Sequence, residues 1–494
     1  MRKPIHFLFA LAGLASLALA FGACSKEDEE PFDAFTAIND AAFKMYCMQF
    51  DTDRDGMLSE AELTAVKGIN LVGDNIFNVK SLAGIEYFTA LEKLDVSNNK
   101  LTTLDISKNL ALTILDCSYN ELQSLDISTN TKLTTLVSSF NWSITSLDVS
   151  KNTMLKYLDC YNNQLTTLDV SKNTALEYLS CGASELTNLD FSKNTALKYL
   201  YCGSSRLTSL DLSNHAALEY LNCSNNLLTS LNVSGCTKLT DLDCRDNRLT
   251  SLDVISCTEL GTLDCHDNKL TSLKANGCTR MTALRCHFNL LTSLDLSKNT
   301  ALNSLYCYGN SLTDLNVNGC TALTMLRCYE NELTSLDLGT NTALSSLNCY
   351  GNKLVSLNVS GCTALSYLGC QYNKLTNLDV SGNTALSSLI CYDNTLANLD
   401  TSNNTALRYL WCYNNKLTNL DVSSNRALGS FFCYDNTLTS LDISNNTALY
   451  YLWCNNNPDL STIYVWSGFD TTMPKNSIPD IHYDEDLKFV VKRQ

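Results

Sequence analysis

One feature limits this chain more than any other: it repeats. From Leu101 to Asp459 the same pattern returns every 21 residues, giving seventeen coils whose starts run from Leu101, Leu122 and Ile144 to Leu417 and Leu438. The coils beginning at Leu122 and Leu438 each hold one extra residue. A single coil shows the logic, with apolar residues at Leu165, Leu168 and Val170, then at Leu176, Leu179 and Cys181. So short a unit cannot bury its own leucines. Stacked coils set leucine on leucine at about 4.8 Å and create one long interior. A length of 494 residues, which would otherwise suggest several domains, then describes a single stack. Proline would remove a ladder donor, and none occurs between residues 32 and 457. Asn163, Asn247, Asn331 and Asn415 recur at one bend, where their amides are expected to bond the backbone of the adjacent coil.

The segment Leu155-Lys-Tyr-Leu158-Asp-Cys160-Tyr-Asn-Asn163-Gln-Leu165 resembles the leucine-rich-repeat signature, and 21 residues is within that family's range. The resemblance covers about three quarters of the chain. It implies a curved leucine-rich-repeat solenoid of parallel β coils. An irregular coil around Leu82, Ile85, Leu91 and Leu94 precedes the regular ones, and a half-coil at Leu460, Ile463 and Val465 follows them. The expected division is a signal peptide (1–23), an acidic tether (24–33), a helical cap (34–68), the solenoid (69–466) and a C-terminal cap (467–494). Tyr464, Trp466, Phe469, Phe489 and Val490 are the residues expected to cover the open end.

The first residues read as an address. Arg2 and Lys3 precede an almost wholly apolar run from Phe7 to Phe21, too short and wrongly flanked for a membrane span. Phe21-Gly22-Ala23-Cys24 resembles a lipobox, which implies an acylated Cys24. The acidic run Ser25-Lys26-Glu27-Asp28-Glu29-Glu30 resembles the surface-export signal of Bacteroidota lipoproteins; the alternative is a charged tether. Together these imply an outer-membrane protein, lipid-anchored and displayed on the cell surface.

Residues 51–62 resemble an EF-hand calcium loop position by position. Asp51, Asp53 and Asp55 fall at the first, third and fifth places, and Gly56 at the turn. Met57 offers its carbonyl, Ser59 a hydroxyl and Glu62 two closing oxygens. Phe35, Ile38, Ala42, Phe43, Tyr46 and Phe50 recur at helical spacing before the loop, and Ser59 to Lys67 predicts a helix after it. The expected cofactor is a structural calcium ion; the alternative is an acidic turn without metal.

Twenty-three cysteines would suggest disulfides in a short chain. Here sixteen share one place in the coil, from Cys117 to Cys454, while Cys236, Cys257, Cys278, Cys320 and Cys362 replace asparagine at the other bend. In-register neighbours point their thiols the same way, which suits packing better than bonding. Zinc is not expected, because the column lacks histidine partners and spaced pairs.

Residues alternating with the buried leucines should face outward on the concave sheet. There the chain places Tyr306, Tyr308, Tyr329, Tyr350, Tyr392, Tyr409, Trp411, Tyr413, Phe432, Tyr434, Tyr451 and Trp453. These rings suit binding, although strand propensity alone also favours them. Arg245, His266, Arg285, His287 and Arg327 form a basic middle strip, either a site for an acidic group or a solvated surface. The opposite face carries an aspartate column from Asp105 to Asp442, expected to serve solubility and edge protection, with a calcium-bridged ladder as the sharper alternative. A net charge of −16 argues against nucleic acid as a partner. No catalytic constellation or phosphate loop is evident. The expectation is a surface adhesion protein that binds another protein; the alternatives are a polysaccharide-capturing lipoprotein and a coat protein without a discrete ligand.

Overall fold

The computed structural model describes residues 33–73 and 78–492. Cys24 and its surroundings lie outside the described residues. The rest is a parallel β-solenoid. Its long sheet has 20 strands, running from Gly68–Asn70 and Lys93–Asp95 through Tyr157–Asp159 and Ser346–Asn348 to Tyr451–Trp453 and Asp480–His482. The register is exact to the repeat: Leu158 pairs with Leu179, Leu179 with Leu200, and Leu200 with Leu221. Nineteen strand steps make a sheet about 90 Å long.

The opposite side is broken into short parallel pieces, such as Ser209–Asp211 with Ser230–Asn232 and Ser335–Asp337 with Ser356–Asn358. Between the two sides lies a single core of leucine, valine and cysteine, continuous from the N-terminal cap to Leu487. All 22 described cysteines are free and buried, so the thiol column packs as small hydrophobes. Burial pushes the thiols up, Cys202 and Cys412 to about 12.

Both bends use asparagine, in different ways. At the bend after the long sheet, Asn331 Nδ2 donates to the carbonyls of Cys307, Cys328 and Tyr329 at 3.0, 3.1 and 3.2 Å, and its Oδ1 accepts from Leu312 N at 2.9 Å. At the other bend, Asn341 Nδ2 donates to Val317 and Cys320 carbonyls, while its Oδ1 has no partner. Cysteine replaces asparagine only at this second bend. There Cys362 Sγ donates to Leu338 O at 3.3 Å and Cys278 Sγ to Val254 O at 3.1 Å. His215 fills the same position, with Nε2 3.2 Å from Phe191 O.

The aspartate column also works for the backbone. Asp169 Oδ1 accepts from Ser171 N, Asp295 from Ser297 N and Asp421 from Ser423 N, each closing a turn two residues long. Solubility alone does not account for such regular bonding.

At the N-terminus the helical spacing from Phe35 to Phe50 does not yield one helix. A short 3-10 turn, Ala34–Thr36, is followed by α1 (Ala41–Cys47) and a second turn, Met48–Phe50. Asp40 breaks the run, because its Oδ1 caps α1 at Ala42 and Phe43 while Oδ2 accepts from Lys80 N. After the loop, α2 spans Glu60–Ala65 rather than reaching Lys67, and Val66 is already extended. At the chain end Phe469 is buried, and Trp466 and Phe489 pack against the core. Asp480–His482 extends the long sheet and Lys488–Val491 the opposite side, so the tail adds another rung.

Candidate functional site

The outward positions of the long sheet, here the front face, bring the aromatic residues into columns. One column stacks His266, His287, Tyr308, Tyr329 and Tyr350, with consecutive centroids 4.3, 4.4, 4.3 and 4.5 Å apart. Gln371 interrupts it, and Tyr392, Tyr413 and Tyr434 resume at 4.2 and 4.3 Å. A neighbouring column stacks Trp411, Phe432 and Trp453 at 5.2 and 4.8 Å. Tyr306 stands apart from these stacks, between Arg285 and Arg327, whose guanidinium carbons lie 5.6 and 5.2 Å from its ring centre.

The reason for stacking is the register. A strand step of about 4.8 Å is close to the contact distance of two ring faces. None of the twelve rings is buried; Tyr409 and Tyr451 are exposed and the others half-buried. Within a stack the ring faces cover one another, so a stack offers edges and hydroxyls. Tyr350 Oη donates to Glu330 Oε1 at 3.3 Å. Burial, with neighbouring tyrosines, pushes the Tyr413 phenol above its ordinary range.

The middle strip is less basic than its residues suggest. Asp264 lies 2.5 Å from His266 Nδ1 and 3.8 Å from Arg285 Nη1, and Arg245 lies 3.7 Å from Asp243. The strip neutralises itself and leaves less charge for an acidic partner. His287 is buried in the stack, and burial, with His266 beside it, holds its imidazole down at about 4.

In the N-terminal loop Asp51, Asp53 and Asp55 each place an oxygen within 4.8 Å of the others, so this cluster can hold a metal ion. Gly56 has the positive φ of +85° the turn requires, and donates to Asp51 Oδ2 at 3.0 Å. Asp51 Oδ1 is buried and without a partner. Glu62 is otherwise engaged: Oε1 accepts from Thr52 N and Oγ1, and Oε2 from Ser59 N and Oγ. Desolvation works against its charge, but these four bonds outweigh it and hold the carboxyl at about 2. Ser59 and Glu62 thus form the capping box of α2. Met57 N donates to Asp55 Oδ1 at 2.8 Å.

Sequence reasoning missed Tyr450 and Asp480, which border the C-terminal end of the aromatic face together with Tyr409, Trp411, Phe432 and Trp453. Tyr450 belongs to no outward strand position, and Asp480 lies in the tail. The available signal was Gly429 followed by Ser430, a small pair among bulky residues.

No protein-family model and no curated protein sequence matches the chain. Solved structures do. The functional domain of InlJ from Listeria monocytogenes, which includes a cysteine ladder, is 30% identical, with 87% of this chain and 81% of that one covered and a TM-score of 0.54. YopM from Yersinia enterocolitica is 22% identical over 91% of this chain and 99% of its own, with a TM-score of 0.63. The Arabidopsis receptor kinase HAESA, solved with the peptide hormone IDA and the co-receptor SERK1, is 18% identical over 76% and 71%, with a TM-score of 0.59. The last two share the fold. With the InlJ match, the repeat and the thiol column, the chain belongs to the leucine-rich-repeat proteins.

Proposed function

We propose that this protein is a cell-surface adhesion protein that binds a protein partner through its aromatic front face. One observation carries the reading: the rings stand edge-out in stacks, their faces covered at 4.2–4.5 Å and their polar tips outward. Such a surface gives large, rigid contact area with hydroxyls on its rim, the character of protein interfaces. A sugar ring stacks on an open aromatic face, and these stacks offer one only at their ends. The polysaccharide alternative is therefore the weaker reading. Screening the purified mature protein against parallel arrays of extracellular proteins and glycans tests it. Binding on the protein array supports the proposal; binding confined to glycans overturns it.

Display at the surface follows from the lipobox-like Cys24 and the acidic run behind it, which the reading takes as a lipid anchor of the Bacteroidota type in the outer membrane. We further propose that the Asp51, Asp53 and Asp55 cluster takes a structural calcium ion, with Met57, Ser59 and Glu62 completing an EF-hand-like shell. The buried, unpartnered Asp51 Oδ1 supports this. Glu62 would have to exchange its Thr52 bonds for the metal. Calcium should raise the melting temperature and release or absorb heat on titration. Neither response in the parent protein, or the same response in Asp51→Asn, contradicts it.

A further inference from the structure

The C-terminal end of the front face forms a box where the other coils form stacks. Tyr409, Ser430 and Tyr451 occupy one position on three successive paired strands. Ser430 is buried and contributes no ring, so the two tyrosines stand two strand steps apart, about 9.5 Å. Tyr450 closes one side. It lies over Gly429, where any side chain would collide with its ring, and meets Tyr451 edge-on at 4.6 Å. The Trp411–Phe432–Trp453 stack closes the other side with pinned indoles: Trp411 Nε1 donates to Ser430 Oγ at 3.1 Å and Trp453 Nε1 to Asp480 Oδ1 at 3.2 Å. The hollow holds about 330 Å³, and Asp480, paired with Tyr451 on the next strand, borders it beyond that ring. His482 Nε2 approaches the same Oδ1 at 3.1 Å.

We infer that this box is a cation cage whose occupant is the ammonium group of a lysine side chain on the partner protein; the inference rests on the reading of the front face as a protein-binding surface. A ring face attracts a cation within about 6 Å of its centre. An ammonium midway between Tyr409 and Tyr451 would lie about 4.8 Å from each, inside that reach on both sides. A flat guanidinium packs at about 3.5–4 Å, so against one wall it would sit near the limit of the other. A neutral group would gain nothing from the ring faces' attraction for charge or from the through-space field of Asp480, one strand beyond Tyr451. The net charge of −16 adds a long-range preference for cations.

The test uses the full chain with N-acetyl-lysine amide as probe and its Nε-acetyl derivative as the neutral match. Binding is read from tryptophan fluorescence, since Trp411 and Trp453 line the box. The lysine probe should saturate, and the neutral derivative should bind at least about tenfold more weakly. Ser430→Tyr restores a ring to the gap and continues the column, so it should melt like the parent yet lose the probe. Asp480→Asn, which acts across about two strand steps, should weaken binding by no more than about threefold. Equal binding of the neutral derivative, no saturation by lysine, or unchanged affinity in Ser430→Tyr overturns the cage. If the probe fails while Trp411→Ala with Trp453→Ala still abolishes capture of a protein found on the array, the cage alone is wrong and the reading of the face stands.

Discussion

Front and back of this solenoid are built from the same 21-residue unit, but only the back keeps its polar residue from coil to coil. On the back, aspartate after aspartate accepts from the N–H two residues on, as Asp126, Asp169 and Asp379 do from Ser128, Ser171 and Ser381. On the front, the outward positions change from coil to coil: Asp243, Asp264, Arg285, Tyr306, Arg327 and Asn348 follow one another in a single column. In a repeat protein, a polar residue that recurs with the period is engaged by the backbone. A residue that varies along the same column is one the fold does not dictate, and function can use it.

The contrast can be broken or sharpened by substitution. The largest effect is expected at the bend after the long sheet. Asn331→Ala removes four hydrogen bonds and leaves buried backbone groups unpaired, at about 3 kcal/mol in urea denaturation. A change under 1 kcal/mol there would mean that bend does not hold the coils together. Next comes a front-face aspartate. Asp116 accepts from Ser118 N and Oγ as back aspartates do from their turns, but burial pushes its carboxyl up to about 6. A raised carboxyl stabilises the fold below its unfolded value near 3.9, and that contribution is lost as pH rises through about 6. Asp116→Asn should therefore stabilise the protein at pH 7 by about 1 kcal/mol, discounted for partial exposure, and change nothing near pH 3.5.

A smaller effect is expected at the other bend. Asn341→Cys keeps a donor for the Val317 carbonyl and gives up the bond to the Cys320 carbonyl together with an oxygen that bonds nothing, so it should cost no more than about 1 kcal/mol. The smallest is Asp169→Asn. The Ser171 N–H holds the Asp169 carboxyl below the usual range, so its contribution is present at neutral pH and lost as pH falls through the acid range. The variant should melt slightly below the parent at pH 7 and level with it in acid. The opposite pH trends of Asp116→Asn and Asp169→Asn would separate buried front from exposed back with one residue type.

Much of this was legible beforehand. The period required stacked coils, and alternation with leucine put Tyr308, Trp411 and Tyr434 on the outside. Asn331 was recognisable as a bend residue. What escaped was whatever the period does not carry. Stacking of rings depends on the strand step meeting the thickness of an aromatic face, and the box at Ser430 on a missing ring beside a glycine. Asp480 sits 29 residues after Tyr451 rather than 21, so no repeat count would have paired them. The His266–Asp264 contact lies within one coil, between the last residue of the strand Thr262–Asp264 and the second residue after it; charge counting alone described it as basic. The break at Asp40 was hidden because helical spacing continues across a residue that caps the next helix.

The claim that the outward rings serve a partner while the inward columns serve the fold is tested most directly with Trp411→Ala and Trp453→Ala combined. Melting and binding to a partner found on the protein array should be measured on the same preparation. The account predicts cooperative melting within a few degrees of the parent and loss of binding. Intact binding, or collapse of the fold without these two rings, would contradict it.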